Sequence, residues 1–176
     1  MQAPPQINHT LVLGGARSGK SAFAQAQAEA GAGELVYLAT AHAGDAEMAR
    51  RIARHRGERG PRWRTVEEPL ELAARLGEEA RAGRIVLVDC LTLWLSNIMF
   101  AGRDAEAEGT ALAGALAALK GPVIFVSNEV GSGIVPDNVL ARDFRDAQGR
   151  LNQRMAAACG SAFLIVAGLP LTLKGR

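Results

Sequence analysis

The chain has 176 residues and a formal net charge of +2, so it is the size of one ordinary domain and carries too little charge to indicate non-specific nucleic-acid binding. Its two cysteines exclude a disulfide framework or a cysteine-based zinc pattern and fit a reducing compartment. Residues 1–9 contain no apolar run typical of a signal peptide, and no run in the chain is long enough to span a membrane, so we expect a cytoplasmic protein.

Strand-like and helix-like segments alternate along the chain. Short apolar runs typical of strands cover residues 11–15, 35–40, 84–90, 122–127 and 162–168, and the stretches between them are typical of amphipathic helices, the last from about Asp137 to Cys159. This alternation predicts an α/β fold with three layers and a sheet of five or six parallel strands. We expect a disordered lead-in over residues 1–9, a single domain over residues 10–176 and a mobile surface loop over residues 101–109.

A glycine-rich motif follows the first strand run. Residues 14–21 read GGARSGKS and match G-x-x-x-x-G-K-[ST], the pattern of a phosphate-binding loop between a strand and a helix. Glycines allow backbone N–H groups to curl around phosphate oxygens, and the helix N-terminus adds partial positive charge. We therefore expect Lys20 to neutralise the β- and γ-phosphates, Ser21 to bind Mg²⁺ and Arg17 to add a phosphate contact.

The apolar run IVLVD ends in a carboxylate, Asp89. The carboxyl end of a parallel strand is where phosphate-loop proteins hold an acidic residue on the Mg²⁺ side of the nucleotide. An aspartate at this position also commonly caps the next helix, so Asp89 supports nucleotide binding but names no reaction.

A basic segment over residues 50–64 contains seven arginines and one histidine, His55. Because His55 lies at helical spacing from Met48 and Ile52, it is either a packed residue at the end of an apolar stripe or a reactive group, and the pattern leaves both open. Neighbouring arginines favour a neutral, nucleophilic imidazole and can bind phosphate oxygens. A position near a helix C-terminus favours the cation instead.

The other two histidines differ in position. His42 follows the strand run 35–40, where α/β proteins have ligand-binding loops, and it is a rival to His55. His9 precedes the first strand, and we expect it to be inert.

Four segments are distinctive when they are read together: LVLGGARSGKS from Leu11, RIARHRGERGPRW from Arg51, VLVDCLTLWLSN from Val86 and SNEVGSGIVPDNV from Ser127. In this order they resemble the bifunctional adenosylcobinamide kinase / adenosylcobinamide-phosphate guanylyltransferase family of cobalamin biosynthesis, and the resemblance covers nearly the whole chain. The histidine segment and NEVGSGIVP are far more specific than the phosphate loop. The resemblance implies a phosphate-loop NTPase fold with a mainly parallel central sheet and a small homo-oligomer, with a trimer favoured.

The resemblance also implies two reactions. In the first, ATP or GTP phosphorylates the aminopropanol hydroxyl of adenosylcobinamide. In the second, a histidine attacks the α-phosphorus of GTP, and the histidine–GMP intermediate passes GMP to the substrate phosphate, giving adenosylcobinamide-GDP. The family's histidine falls on His55, and its pattern asks for none at His42.

The remaining site residues are those that the resemblance carries over. With the resemblance, Lys20 and His55 are the expected catalytic residues, and Ser21 and Asp89 remain the Mg²⁺ ligands that the motif and the IVLVD strand predict. The NEVGSGIVP segment is either a glycine-rich turn before the next helix or part of the corrinoid or nucleotide pocket, and we expect the pocket. The implied nucleotide contacts are Gly14, Gly15, Ala16, Arg17, Ser18, Gly19, Lys20, Ser21, Ala39, Thr40, Ala41, Arg56, Gly57, Glu58, Arg59, Glu67 and Asp89.

Two other functions stay open at this point. The protein could be a plain phosphate-loop small-molecule kinase in which His55 is structural, or a nucleotide-controlled RNA-binding module that uses the arginine-rich segment. The second interpretation lacks aromatic stacking platforms and a strong net charge, so we expect small-molecule partners and no nucleic acid.

Overall fold

The computed structural model describes residues 7–41 and 60–175. Six residues for which the sequence predicts a functional role, or a rival one, lie outside these ranges: His42, His55, Arg56, Gly57, Glu58 and Arg59. Residues 1–6 of the expected lead-in lie outside them as well.

The described residues form an α/β fold. The strands are β1 Thr10–Gly14, β2 Glu34–Ala39, β3 Trp63–Glu67, β4 Arg84–Asp89, β5 Val123–Asn128, β6 Ser161–Val166 and β7 Leu169–Lys174. The helices are α1 Lys20–Ala30, α2 Leu72–Glu79, α3 Leu91–Phe100, α4 Ala105–Ala115 and α5 Val139–Ala158, with a 3₁₀ turn at Leu116–Ala118. No helix of this described part is long and apolar enough to cross a membrane.

The strands belong to one sheet in the order β3-β2-β4-β5-β1-β6-β7, and only β7 is antiparallel to its neighbour. The predicted α/β class with a mainly parallel sheet is confirmed, but the predicted count of five or six strands is wrong, because the described sheet has seven. The two strands not predicted from the sequence are the edge strands of the sheet, β3 and β7. Edge strands bury little surface, so β3 and β7 lack the continuous apolar runs that mark β2, β4 and β5.

The core has two layers, one on each face of the sheet. One face packs against α1, where Ala24 and Ala28 are fully buried. The other packs against the remaining helices around Trp94, whose indole N–H donates to the Leu70 carbonyl at 2.9 Å. These layers satisfy the three-layer prediction and leave the ends of the strands open.

The prediction of a mobile surface loop over residues 101–109 is wrong, because helix α4 begins within it. Residues 101–109 do not form a long loop, because the carboxylate of Asp104 accepts hydrogen bonds from the N–H groups of Glu106 and Ala107 and starts the helix at Ala105. Gly109 is buried against α5, where an added Cβ would lie 3.2 Å from Leu151 Cδ1. The sequence did not indicate this helix, because residues 102–109 are rich in charged residues and alanine and have glycine at both ends.

Helix α5 confirms the prediction of a long final helix to within two residues at each end. Asn138 caps it by accepting from the N–H of Ala141 at 2.7 Å. Leu151 and Met155 on its apolar stripe are buried, whereas Leu140 at its start is 59% exposed.

His9 contradicts the expected end of the disordered lead-in. Its ring is buried; Nδ1 accepts from the N–H of Val123 at 3.2 Å, and Nε2 lies 3.1 Å from the carbonyl oxygen of Leu116. Burial lowers the pKa of His9, and a neutral ring with its proton on Nε2 satisfies both contacts. The residue therefore joins three parts of the fold.

Candidate nucleotide-binding site

The carboxyl ends of the parallel strands bring the predicted site residues to one edge of the sheet. Glu67, Ala39 and Asp89 stand in register on neighbouring strands β3, β2 and β4. Gly14 at the end of β1 stands in register with Asn128 at the end of β5, which separates β1 from β4. The glycine-rich loop and the Asp89 carboxylate therefore lie at the same end of the sheet, where the parallel strands have their carboxyl ends. Only strand β5 separates their two strands, as the sequence predicts.

The glycine-rich loop has the geometry of a phosphate cradle. It leaves β1 at Gly14, passes through a positive φ at Arg17 (56°) and Gly19 (96°), and enters α1 at Lys20. Among the described residues no side chain caps α1, and its first turn has no acidic residue. The N-terminal N–H groups of α1 and its positive dipole end are therefore suited to an anion. Lys20 Nζ lies across the loop, 3.3 Å from the carbonyl oxygen of Gly15.

Gly14 and Ser18 pack against each other inside the loop. A Cβ on Gly14 would meet Ser18 Oγ at 2.4 Å and the carbonyl oxygen of Ile165 at 2.8 Å, so this position admits only glycine. Ser18 Oγ is buried and has no hydrogen-bond partner among the described residues. A buried hydroxyl of this kind is available to a bound phosphate or water.

The turn between β6 and β7 supports the loop from outside. The N–H of Gly168 donates to the carbonyl of Ser18 at 2.8 Å, and a Cβ on Gly19 would lie 3.2 Å from the Cα of Gly168. Ala167 and Gly168 both have positive φ, 51° and 79°, as a tight hairpin turn requires. Sequence reasoning missed this contact, because a Gly-Leu-Pro stretch far from the motif gives no signal of where it packs.

Asp89 lies on the face of the sheet that α1 covers. It is in register with Val126 of the α1-side core, and its Oδ2 accepts from the hydroxyl of Tyr37 at 3.0 Å. The Asp89–Cys90 peptide bond is cis. Burial, together with the negative charge of Asp89, raises the pKa of the Cys90 thiol, so Cys90 stays protonated and is no nucleophile.

The predicted contacts at residues 39–41 differ in exposure. Ala39 is 4% exposed and Thr40 is fully buried, with its hydroxyl bonded to the main chain of Cys90. Ala41, the last described residue before residue 60, is half-buried at the same edge. The side chain of Thr40 is therefore a structural element of the site, whereas Ala41 is open to a ligand.

A polar network behind the site was not found from the sequence. The side chains of Ser127, Gln148 and Asn152 bond to one another, and Asn152 also donates to the carbonyl of Asn128 at 3.0 Å. The N–H of Asn128 donates to the hydroxyl of Thr92 at 2.8 Å. Asn128 Oδ1 is buried without a partner in the described part of the chain. The sequence feature that could have indicated this network is the polar pair Ser127 and Asn128 at the end of the buried strand β5.

A cleft of about 420 Å³ opens beside the glycine-rich loop. Its walls are residues 15–18, the end of β6, and Glu129 and Ser132 of the loop after β5. The Ser132 side chain and the N–H groups of Gly131 and Ser132 hold the pKa of the Glu129 carboxyl below its usual value. The cleft therefore has a fixed negative group opposite the phosphate-binding loop.

The fold and the site define a phosphate-loop NTPase. Solved structures agree: the chain aligns with the P4 protein from bacteriophage phi6 in complex with ADP (TM-score 0.50, 16% identity, 96% of this chain and 56% of that one). It also aligns with an ATPase from the type III secretion system of pathogenic bacteria (TM-score 0.58, 10% identity, 94% and 56%). At these identities the likeness shows the fold alone.

The family follows from sequence comparison. Residues 10–173 match the family Cobinamide kinase / cobinamide phosphate guanyltransferase. The bifunctional adenosylcobalamin biosynthesis protein CobP of Pseudomonas aeruginosa is 51% identical over 94% of this chain and 97% of that protein. The bifunctional adenosylcobalamin biosynthesis protein CobU of Escherichia coli K12 is 38% identical over 93% and 98%. The chain belongs to this family, and it is an enzyme with cobinamide kinase and cobinamide phosphate guanyltransferase activity.

Proposed function

We propose that this enzyme phosphorylates adenosylcobinamide with ATP or GTP and then transfers GMP from GTP to the product through a covalent histidine intermediate on His55. The observation that carries the proposal is the glycine-rich loop with Lys20 on the same sheet edge as Asp89, in a chain of this family. Family membership favours this bifunctional role over both a plain kinase and an RNA-binding module.

For the kinase step, Lys20 neutralises the β- and γ-phosphates while the N–H groups of the loop hold their oxygens. The acceptor hydroxyl attacks the γ-phosphorus and gives its proton to solvent water, and the nucleoside diphosphate leaves with the electron pair of the broken P–O bond. The uncapped start of α1, which follows the loop residues that line the cleft, supports this arrangement. Ser18, whose hydroxyl has no partner in the described residues, is a further phosphate contact.

Mg²⁺ fits the residues present. The hydroxyl of Ser21 and the carboxylate of Asp89 are hard oxygen donors, the chemistry that Mg²⁺ prefers. Among the described residues no group of three or more His, Cys, Asp or Glu side chains could hold a metal, so phosphate oxygens and water would complete the shell, as is usual for Mg²⁺ with nucleotides. When bound, the ion neutralises phosphate charge.

For the guanylyl step, a neutral His55 nitrogen attacks the α-phosphorus of GTP and pyrophosphate leaves with the bonding electron pair. A phosphate oxygen of the corrinoid then attacks the same phosphorus and breaks the P–N bond. Arg56 and Arg59 bind the phosphate oxygens, because guanidinium groups match them in charge and geometry. Ala41, which directly precedes the segment that contains His55, lies at the nucleotide edge, and this supports the assignment.

The guanine nucleotide contacts Ala39, Ala41, Gly57, Glu58 and Glu67 in addition to the loop. The register that sets Glu67 beside Ala39 and Asp89 supports this set. The buried hydroxyl of Thr40 limits that residue to holding the edge in shape. We also propose a homo-oligomer, with a trimer favoured, and a cytoplasmic location.

The test is to map the covalent adduct. The enzyme is incubated with Mg²⁺ and GTP labelled at the α-phosphate, denatured without acid and digested. We expect label on the peptide that contains His55, none from γ-labelled GTP, and discharge when adenosylcobinamide phosphate is added. Protonation makes imidazole a better leaving group, so the adduct should be labile in acid and comparatively stable in alkali. Label that survives acid, or that lies on another residue, contradicts the histidine–GMP mechanism.

A further inference from the structure

The segment after the cleft exposes an unusual amount of apolar surface. Nine of its ten residues over 131–140 are exposed, and four of them are large and aliphatic: Ile134 (97% exposed), Val135 (56%), Val139 (61%) and Leu140 (59%). The same ten residues contain no lysine or arginine. Scattered exposed apolar residues are ordinary, but a cluster of this density marks a contact surface.

The segment is held at both ends, so these side chains are presented by an ordered loop and the first turn of α5. At its start, the N–H of Glu129 donates to the carbonyl of Gly14 at 3.1 Å, and the Glu129 carboxylate accepts from the N–H groups of Gly131 and Ser132. At its end, Arg142 donates to the carbonyls of Pro136 and Asp137 at 2.9 and 2.7 Å. A surface ordered in advance loses less entropy when it binds.

The exposed apolar residues follow, along the chain, a segment that lines the cleft beside the glycine-rich loop. Glu129 and Ser132 line that cleft, and Ile134 follows Ser132 by two positions. A cobinamide macrocycle is too large for a cleft of about 420 Å³, whereas the arm that carries its reacting hydroxyl is not. The acceptor must therefore keep its ring outside while its arm reaches the γ-phosphate.

We propose that Ile134, Val135, Val139 and Leu140, here called the apolar platform, bind the methyl-bearing edge of the corrin ring while its hydroxyl arm enters the cleft past Glu129. The proposal rests on the kinase and guanyltransferase function proposed above, because it names where the acceptor of both reactions lies. A corrin edge combines apolar methyl groups with uncharged amide side chains. It therefore suits a surface that is apolar and free of cationic side chains over residues 131–140.

A second exposed apolar group provides a matched control. Leu173 of β7 is 52% exposed, close to the exposure of Val135, and lies at the far end of the β6–β7 hairpin from the turn that touches the glycine-rich loop. Changing Leu173 to serine replaces an exposed aliphatic side chain, as each of the platform substitutions does, without touching the platform or the cleft. A change in KM that the platform variant shows and Leu173→Ser does not show is then due to where the platform residues lie.

The test compares Ile134→Ser/Val135→Ser with Leu173→Ser in the kinase reaction with ATP and adenosylcobinamide. We expect the platform variant to raise KM for the corrinoid on the order of tenfold or more, because each lost apolar contact weakens binding, while KM for ATP is unchanged. Leu173→Ser should keep wild-type KM values. Equal KM values for wild type and platform variant would overturn the proposal.

Two further measurements make each outcome decisive. Charging with α-labelled GTP alone needs no corrinoid, so an unchanged extent of labelling shows that the variant is folded and that its nucleotide site works. If wild type shows no charging, the histidine–GMP mechanism fails while the corrinoid KM in the kinase reaction still tests the platform. Sedimentation tests whether a second copy of the chain, and not the corrin ring, covers this surface. A changed oligomeric state with an unchanged corrinoid KM would assign the surface to a second copy of the chain.

Discussion

The hydroxyl of Thr40 and the main chain of Cys90 exchange two hydrogen bonds: Oγ1 donates to the carbonyl of Cys90 at 2.7 Å and accepts from its N–H at 2.9 Å. The pair joins the ends of β2 and β4 next to Asp89, and the amide of Asn97 adds a bond to the Thr40 carbonyl at 2.8 Å. Because Thr40 is fully buried, water cannot replace its hydroxyl. This contact fixes the strand end that carries Asp89.

Thr40→Val should therefore weaken both the fold and the site. It keeps the side-chain shape but leaves the buried N–H of Cys90 without its partner and removes one of the two bonds to the Cys90 carbonyl, which still accepts from the N–H of Trp94. We therefore expect a loss of about 1–3 kcal/mol in unfolding free energy, measured with urea. Kinase activity should fall as well, because Asp89 loses its support. Thr40→Ser, which retains the hydroxyl, is the control and should lose much less. Equal stabilities for the two variants would contradict the role of this hydroxyl.

Lys20→Ala should reduce kinase kcat by about 100- to 1000-fold, the range found when one fixed group that stabilises transition-state charge is removed. Lys20 is the cation that lies across the glycine-rich loop. The control is Lys120→Ala, because Lys120 is exposed and precedes β5 at the opposite edge of the sheet. The measurement is the steady-state kinase rate of both variants with saturating nucleotide. Near-normal phosphorylation by Lys20→Ala would refute the assignment.

The two histidines of residues 42–59 should separate the two activities. We expect His55→Ala to keep phosphorylating adenosylcobinamide but to lose GMP transfer, because in the proposed mechanism only the second reaction uses the imidazole as a nucleophile. His42→Ala should keep both activities and serves as the control. Pyrophosphate release from GTP and formation of the phosphorylated corrinoid are measured separately. Loss of GMP transfer in His42→Ala alone would mean that the other histidine is the nucleophile.

Stability should fall in mild acid because of His9. Its folded pKa lies below the ordinary value of 6.5, so the unfolded chain binds a proton that the folded chain resists, and stability present above pH 6.5 is lost as pH falls through the lowered pKa. His9→Gln can still accept from Val123 and donate to Leu116 but does not titrate. Urea midpoints from pH 8 to pH 5 should therefore fall more steeply for wild type than for His9→Gln. Parallel profiles would refute the neutral assignment.

Neighbouring glycines of the loop should respond differently to alanine. Gly14→Ala drives a Cβ to 2.4 Å from Ser18 Oγ and 2.8 Å from the Ile165 carbonyl, so we expect a loss of about 1–3 kcal/mol in unfolding free energy. Gly15→Ala meets no atom within 4 Å and should change stability by less than about 0.5 kcal/mol. Thermal or urea unfolding of the two variants checks this, and equal losses would contradict the packing of Gly14 on Ser18.

The sequence predicts most reliably what burial and local geometry determine. The central strands and α5 carry strong apolar patterns, and the spacing of Gly14, Gly19 and Lys20 predicts the loop. Edge strand β7 has every residue exposed, and its leucines alternate with other residues instead of forming the continuous apolar run by which the central strands are predicted. The buried hydroxyl of Thr40 and the support of Ser18 by Gly168 depend on contacts between distant parts of the chain, which local patterns do not encode. His55 lies outside the described residues, and its role stays a prediction.

The support of the glycine-rich loop by the β6–β7 turn has a consequence for biosynthesis. The loop is translated long before its partners, since Ser18 bonds to Gly168, and β1 pairs with β5 and β6. In a nascent chain the phosphate-binding residues therefore lack these supporting strands until β6 and the β6–β7 turn have left the ribosome. Fragments that end before β6 should bind no nucleotide, so competence to bind the nucleotide reports that β6 and this turn have been made.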